Sequence, residues 1–224
     1  MNTAWGAAVI IGTVTLYRLF QRLYRYKRHP VLTPVATAGG AVIGILLVFS
    51  IPYETYMIGG QWIDALLGPA VVALALPLYR NRQVLKRYFV PIVLGVVLAA
   101  GTAIANTWIW SRLLGWDPVW MRTLLPQSVT SPVAVEISRS LGGLPSLTAA
   151  VVILAGVIGA ATGPLLFRWL TIDDAVARGM GYGCAAHGIG TARAMEDGEV
   201  TGAASSVAMT LAAVVTSVLC AWLF

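Results

Sequence analysis

The chain has 224 residues, 58% of them hydrophobic and only 11% charged, with a mean hydropathy of +0.80 and a formal charge of +6. A soluble domain carries about 25% charged residues, so a water-soluble fold is excluded. The charge-free runs at 31–53, 90–110, 144–167 and 200–224 each meet the requirement of about 20 apolar residues for a membrane-spanning helix. They do not alternate as barrel strands do, so the expected class is an all-α polytopic membrane protein.

The basic balance does not point to nucleic acid. Arg18, Arg22, Arg25, Lys27 and Arg28 follow the first apolar segment, and Arg80, Arg82, Lys86 and Arg87 follow the third. These are nine of the fifteen basic residues, and basic loops stay on the cytoplasmic side. Contact with acidic lipid headgroups is a secondary reading of the same residues.

In chain order, eight apolar segments are predicted, at 4–20, 31–50, 62–79, 88–110, 124–141, 145–168, 176–195 and 201–223. No cationic stretch precedes the first, so it reads as a retained helix rather than a cleaved signal. Both basic loops inside put the N-terminus outside. An even number of crossings returns the C-terminus to that face, unless a weak segment is a re-entrant hairpin. We expect one transmembrane domain over 1–224, with 1–30 peripheral and 31–224 its core.

Four segments are long and plain (31–50, 88–110, 145–168 and 201–223), while three are interrupted. Gly68-Pro69 and Pro77 break 62–79; Pro126 and Pro132 break 124–141; Gly179, Gly181, Gly183, Gly188 and Gly190 break 176–195. Lipid tolerates broken backbone only where protein or a water-filled cavity supplies partners, and such segments point to a transporter's binding site. The bland reading is that glycine and proline serve close helix packing. Residues 66–72 echo residues 129–135 at an offset of 63, which reads either as an internal repeat or as chance recurrence.

The chemistry concentrates in two stretches. In 126–140, Ser128, Thr130 and Ser131 precede a helix start whose open N–H groups and positive dipole end suit an anion; as caps they would only close that helix. Glu136 and Arg139 lie one turn apart and can pair, and Glu136 is the residue placed to carry a coupled proton. In "AHGIGTAR", His187 and Thr191 share a helical face, Gly188 and Gly190 allow close backbone approach, and Arg193 ends the segment. Arg193 is either the charge opposite a carboxylate or an interfacial anchor beside Glu196, Asp197 and Glu199. Cys184 and Cys220 sit in apolar segments with no disulfide or metal spacing. No cofactor, metal or catalytic constellation is read, so an enzyme is not expected.

"LLGPAVVALALPLY", "LPQSVTSPVAVEISRSLGGLPSLTA", "GPLLFRWL" and "ARGMGYGCAAHGIGTARAMEDGEVTGAASSVAM" resemble the LrgB/CidB membrane protein family from about residue 34 to the C-terminus. Ala186, Gly188 and Ser131 depart from the family's more usual Ser, Ala and Thr. The resemblance implies one of two roles. The first is a secondary transporter of glycolate, glycerate or pyruvate-like monocarboxylates, as in the plant plastid glycolate/glycerate transporter. The second is a holin/antiholin-like modulator of murein hydrolase export and autolysis. It also implies a multi-pass protein of the bacterial cytoplasmic membrane beside a small LrgA/CidA-type partner, with self-association left open. Under the transporter reading the substrate site comprises Ser128, Thr130, Ser131, His187, Gly188, Gly190, Thr191 and Arg193.

Overall fold

A computed structural model of the chain describes residues 2–26, 32, 34–66, 69, 72–73 and 75–224, and every regular element among them is a helix. It divides into two compact units, Met1–Ala70 and Val71–Phe224.

The first unit contains α1 (Asn2–Tyr26), α2 (Pro34–Val48) and α3 (Tyr53–Asp64). α1 packs on α3 through Gly6 and Gly59, where a Cβ on Gly59 would lie 2.5 Å from the Gly6 carbonyl oxygen. The Trp5 indole donates to the Thr55 carbonyl at 2.9 Å. Arg18, Arg22 and Arg25 prolong α1 rather than forming a loop, as arginine's good helix propensity permits. Lys27, Arg28, Gly68 and the side chain of Pro77 lie outside the described residues, as does most of the 66–72 word.

The second unit contains α4 (Ala75–Arg80), α5 (Arg82–Arg87), α6 (Phe89–Leu113), α7 (Pro118–Leu124), α8 (Ser131–Leu141), α9 (Pro145–Trp169), α10 (Ala175–Asp197) and α11 (Glu199–Leu223). The second basic cluster is likewise helical, on α4 and α5. Among the described residues, three helices are long and apolar enough to cross a membrane: α6, α9 and α11. The segment 31–50 supplies only a shorter apolar helix, Thr37–Val48.

The interrupted segments 124–141 and 176–195 do not run straight. A continuous helix would separate Arg178 from Asp197 by about 28 Å at 1.5 Å per residue. Their side chains instead meet at 2.5 Å. The reversal is at His187, whose φ of 40° and ψ of −126° are not helical. Residues 175–186 therefore form one arm of a hairpin and 188–197 the other. Neighbours confirm the directions. Gly179 lies against Thr201 and Ala204, and Gly183 against Ser205 and Ala208, so the first arm runs parallel to α11. Met195 meets Gly202 while Thr191 meets Ser205, so the second arm runs antiparallel.

Residues 118–141 make another hairpin. The Thr148 hydroxyl lies 2.9 Å from the Thr123 carbonyl and 2.7 Å from Ser138 Oγ, which brings residues fifteen apart in sequence side by side. α7 leads to the turn 125–130 and α8 returns from it.

The same plan thus occurs twice. A 25-residue helix is followed by a hairpin in 89–141, and another 25-residue helix by a hairpin in 145–197. Each hairpin opens on an aspartate cap: Asp117 accepts from Val119 N–H and Asp174 from Ala177 N–H, both at 2.8 Å. The two caps stand 57 positions apart (174 − 117).

Close packing holds the second hairpin on α11, because a Cβ on Gly183 would strike the Ser205 carbonyl oxygen and lie 3.0 Å from the Ala208 Cβ. Gly183→Val should lower stability by about 1–3 kcal/mol, the usual cost of overpacking. Thermal unfolding of the purified protein checks this; an unchanged midpoint would mean that the arm is free to shift.

Candidate functional site

Both hairpin tips rest on α9 around Val152. The Val152 side chain packs in one buried cluster with Leu125, Val129 and Val133 at the first tip. Its carbonyl oxygen lies 3.0 Å from His187 Nε2 at the second. Gly156 makes room for the imidazole, since a Cβ there would sit 2.6 Å from His187 Cε1. Higher on α9, Gly159 faces Ala186 and Gly163 faces the Tyr182 ring. This run of small residues lets the first arm lie flat on the helix.

A positive φ at a non-glycine residue is uncommon and strained. At His187 the surrounding bonds hold it. The Thr191 hydroxyl donates to the His187 carbonyl at 2.8 Å, which starts the return helix, and meets Ser205 Oγ at 2.9 Å. Gly188 faces open space, and Gly190 sits where a Cβ would come within 2.6 Å of the Tyr182 carbonyl.

At the first tip, Pro126 and Leu125 are fully buried. Thr130 is the N-cap of α8, yet its side chain makes no capping bond. Its Oγ1 is buried without a partner, although buried hydroxyls are normally bonded. The first turn of α8 also leaves N–H groups with no acceptor inside the helix. Uncommitted donors therefore gather at Thr130.

Beside the tips lies an open cleft of about 790 Å³, lined on α6 by Thr102, Asn106 and Ile109, at the first tip by Gln127 and Ser128, and on the second hairpin by Cys184. Among the described residues no charged side chain lines it. Of the residues expected to bind substrate, Ser128 lines the cleft. Thr130 and Ser131, at the α8 start, are not part of its lining. His187 and Thr191 are buried in the turn that shapes the second hairpin.

Arg193 lies elsewhere, at the open end of the second hairpin. It pairs with Glu196 at 2.6 Å and Asp197 at 3.4 Å. Asp197 also holds Arg178 and lies 3.5 Å from the Tyr182 hydroxyl. Glu136 pairs with Arg139 on the α8 surface, both side chains about half exposed (55% and 54%), and neither lines the cleft. Sequence reasoning missed Thr102 and Asn106, which stand one helical turn apart in a segment read as plain, and Gly156, whose only mark is a missing side chain. No group of three or more His, Cys, Asp or Glu able to hold a metal occurs among the described residues.

A sequence model described as the LrgB-like family matches residues 13–224. The uncharacterized protein YxaC of Bacillus subtilis (strain 168) is 41% identical over 219 residues, covering 96% of this chain and 95% of its own. The holin-like protein CidB of Staphylococcus aureus (strain Mu50 / ATCC 700699) is 37% identical over 211 residues, covering 94% and 92%. No solved structure matches. With the family pattern extending over nearly its full length and similarity of this depth, the chain belongs to the LrgB-like family of membrane proteins.

Proposed function

We propose that the protein is a secondary transporter of small monocarboxylates whose alternating access rests on two re-entrant hairpins entering the membrane from opposite faces. The observation that carries this reading is the meeting of both tips at Val152. Each arm of the second hairpin has about twelve residues or fewer, hence a depth of about 15–18 Å, roughly half of a 30 Å hydrocarbon core. Broken backbone meeting near the midplane is the arrangement that transporters use to bind substrate, and inverted units give two related halves that can open in turn.

In this topology α6, α9 and α11 cross, and the hairpins do not. The face carrying α4, α5 and the open end of the second hairpin bears Arg80, Arg82, Lys86, Arg87, Arg168, Arg178 and Arg193. The other face bears Arg112, Arg122 and Arg139. Seven basic residues against three make the first face cytoplasmic. Replacing two crossings by hairpins removes an even number, so the C-terminus still emerges outside.

The substrate carboxylate occupies the cleft beside Ser128, with the α8 N-terminus and the Thr130 and Ser131 groups supplying dipoles. His187, Gly188, Gly190 and Thr191 shape the turn that closes over it, and Arg193 acts by holding that hairpin shut. With no cation among the described residues lining the cleft, a co-bound proton or cation balances the charge. A proton carried by Glu136 would pass through its surface pair with Arg139. Glycolate, glycerate and pyruvate are the substrates we propose, in the bacterial cytoplasmic membrane and beside a small LrgA/CidA-type partner. The holin-like name of CidB favours the other reading, membrane permeabilisation linked to autolysis. That activity gives no reason for two polar tips packed on one helix.

Two cysteine variants separate this topology from eight straight crossings. Leu144→Cys should react with a membrane-impermeant thiol reagent in intact cells, and Asp173→Cys should not. Eight crossings give the reverse pattern, because each position then changes sides. Purified protein in liposomes should take up labelled glycolate or pyruvate saturably. Non-saturable leakage of unrelated solutes would instead establish the permeabilising role.

A further inference from the structure

Asn106 stands at the eighteenth position of the 25-residue helix α6, deep in an apolar run. Its side chain is exposed, lines the cleft, and makes no hydrogen bond among the described residues. A primary amide facing hydrocarbon is expensive, so polar groups at such depth face a cavity or a partner. Two other polar residues of the lining are already partly committed. Thr102 donates its hydroxyl to the Ala99 carbonyl at 2.9 Å. Gln127 spends one amide hydrogen on Thr107 Oγ1 at 3.2 Å and keeps the other together with its carbonyl oxygen. Asn106 alone of the three has its whole side chain, two N–H donors and a carbonyl acceptor, uncommitted.

We propose that Asn106 is a substrate-contacting residue that recognises an oxygen on the carbon next to the carboxylate, so that the cleft selects 2-hydroxy and 2-oxo monocarboxylates over unsubstituted ones. The proposal rests on the transporter reading and assigns a second anchor point to the same cleft. The α8 start, with its positive dipole end, takes the carboxylate. Asn106 is uncharged and lies on the α6 wall of the cleft, so it serves the neutral oxygen. Its N–H groups donate to a ketone, and its amide can both donate to and accept from a hydroxyl. A pocket that leaves a polar group unpaired rejects the analogue lacking that partner, and acetate would leave Asn106 unpaired.

Cys184 lines the same cleft and reports occupancy without requiring transport. Cys220 is buried and is removed as Cys220→Ala. In membranes containing this full-length protein, glycolate and pyruvate should slow alkylation of Cys184 by N-ethylmaleimide at concentrations at least tenfold below those needed for acetate. In Asn106→Leu that difference should vanish, with acetate protection unchanged. Asn106→Ser, smaller but still hydrogen-bonding, should keep part of it and serves if the leucine variant does not fold. A full preference for glycolate in Asn106→Leu would overturn the role of Asn106 while leaving transport intact. If glycolate is transported but no acid protects Cys184, the cleft is not the binding site and the proposal falls alone. Absence of both protection and saturable uptake would end the transporter reading too.

Discussion

Thr130→Val should weaken substrate binding tenfold or more while leaving the protein at least as stable as wild type. Valine keeps the branched shape and removes only the hydroxyl. If that hydroxyl capped α8, losing it would cost about 0.5–2 kcal/mol of stability. It makes no capping bond, and Oγ1 is buried without a partner, so its removal relieves an unpaired polar group instead. A hydrogen bond to a charged ligand is worth about 1.5–3 kcal/mol, which sets the expected loss of affinity. Because Oγ1 is covered in this conformation, the bond forms once the first tip moves to admit substrate. Uptake kinetics and thermal unfolding on the same preparation decide the matter. Reduced stability with unchanged affinity would make Thr130 an ordinary helix cap.

Asp197→Asn should open the second hairpin. Its carboxylate joins the two arms by holding Arg178 at 2.5 Å while lying 3.4 Å from Arg193. Asparagine fills the same space but leaves two guanidinium groups facing each other, with Glu196 alone to compensate. Breaking a buried ion pair costs about 3–5 kcal/mol. Both arginine side chains are 32% exposed, and solvent screening brings the expected loss to about 2–4 kcal/mol. The loss should be local, appearing as faster hydrogen exchange across 175–197 than across α9, together with lower transport. Wild-type exchange in the variant would show that packing of Gly179 and Gly183 on α11 suffices to keep the hairpin closed.

The amino-acid sequence by itself determined the membrane class and three of the four long plain helices expected from uninterrupted apolar length, the run at 31–50 giving only the shorter helix Thr37–Val48 among the described residues. It also marked the two tips. Pro126 and Pro132 remove backbone donors, and five glycines loosen 176–195, so both breaks were legible as breaks. What local composition cannot determine is whether a break bends a helix or reverses it. Tertiary contacts made that choice. Asp197 meets Arg178 across nineteen residues, Thr148 gathers Thr123 and Ser138, and small residues on α9 and α11 receive the returning arms. The same contacts drew Arg193 into an ion-pair cluster at the hairpin's open end and put Asn106, an unremarked polar residue of a plain helix, into the cleft. Such pairings cost chain entropy and are repaid only by packing between distant segments. For that reason the positions of the breaks are written in short stretches of sequence, while their direction exists only in the folded protein.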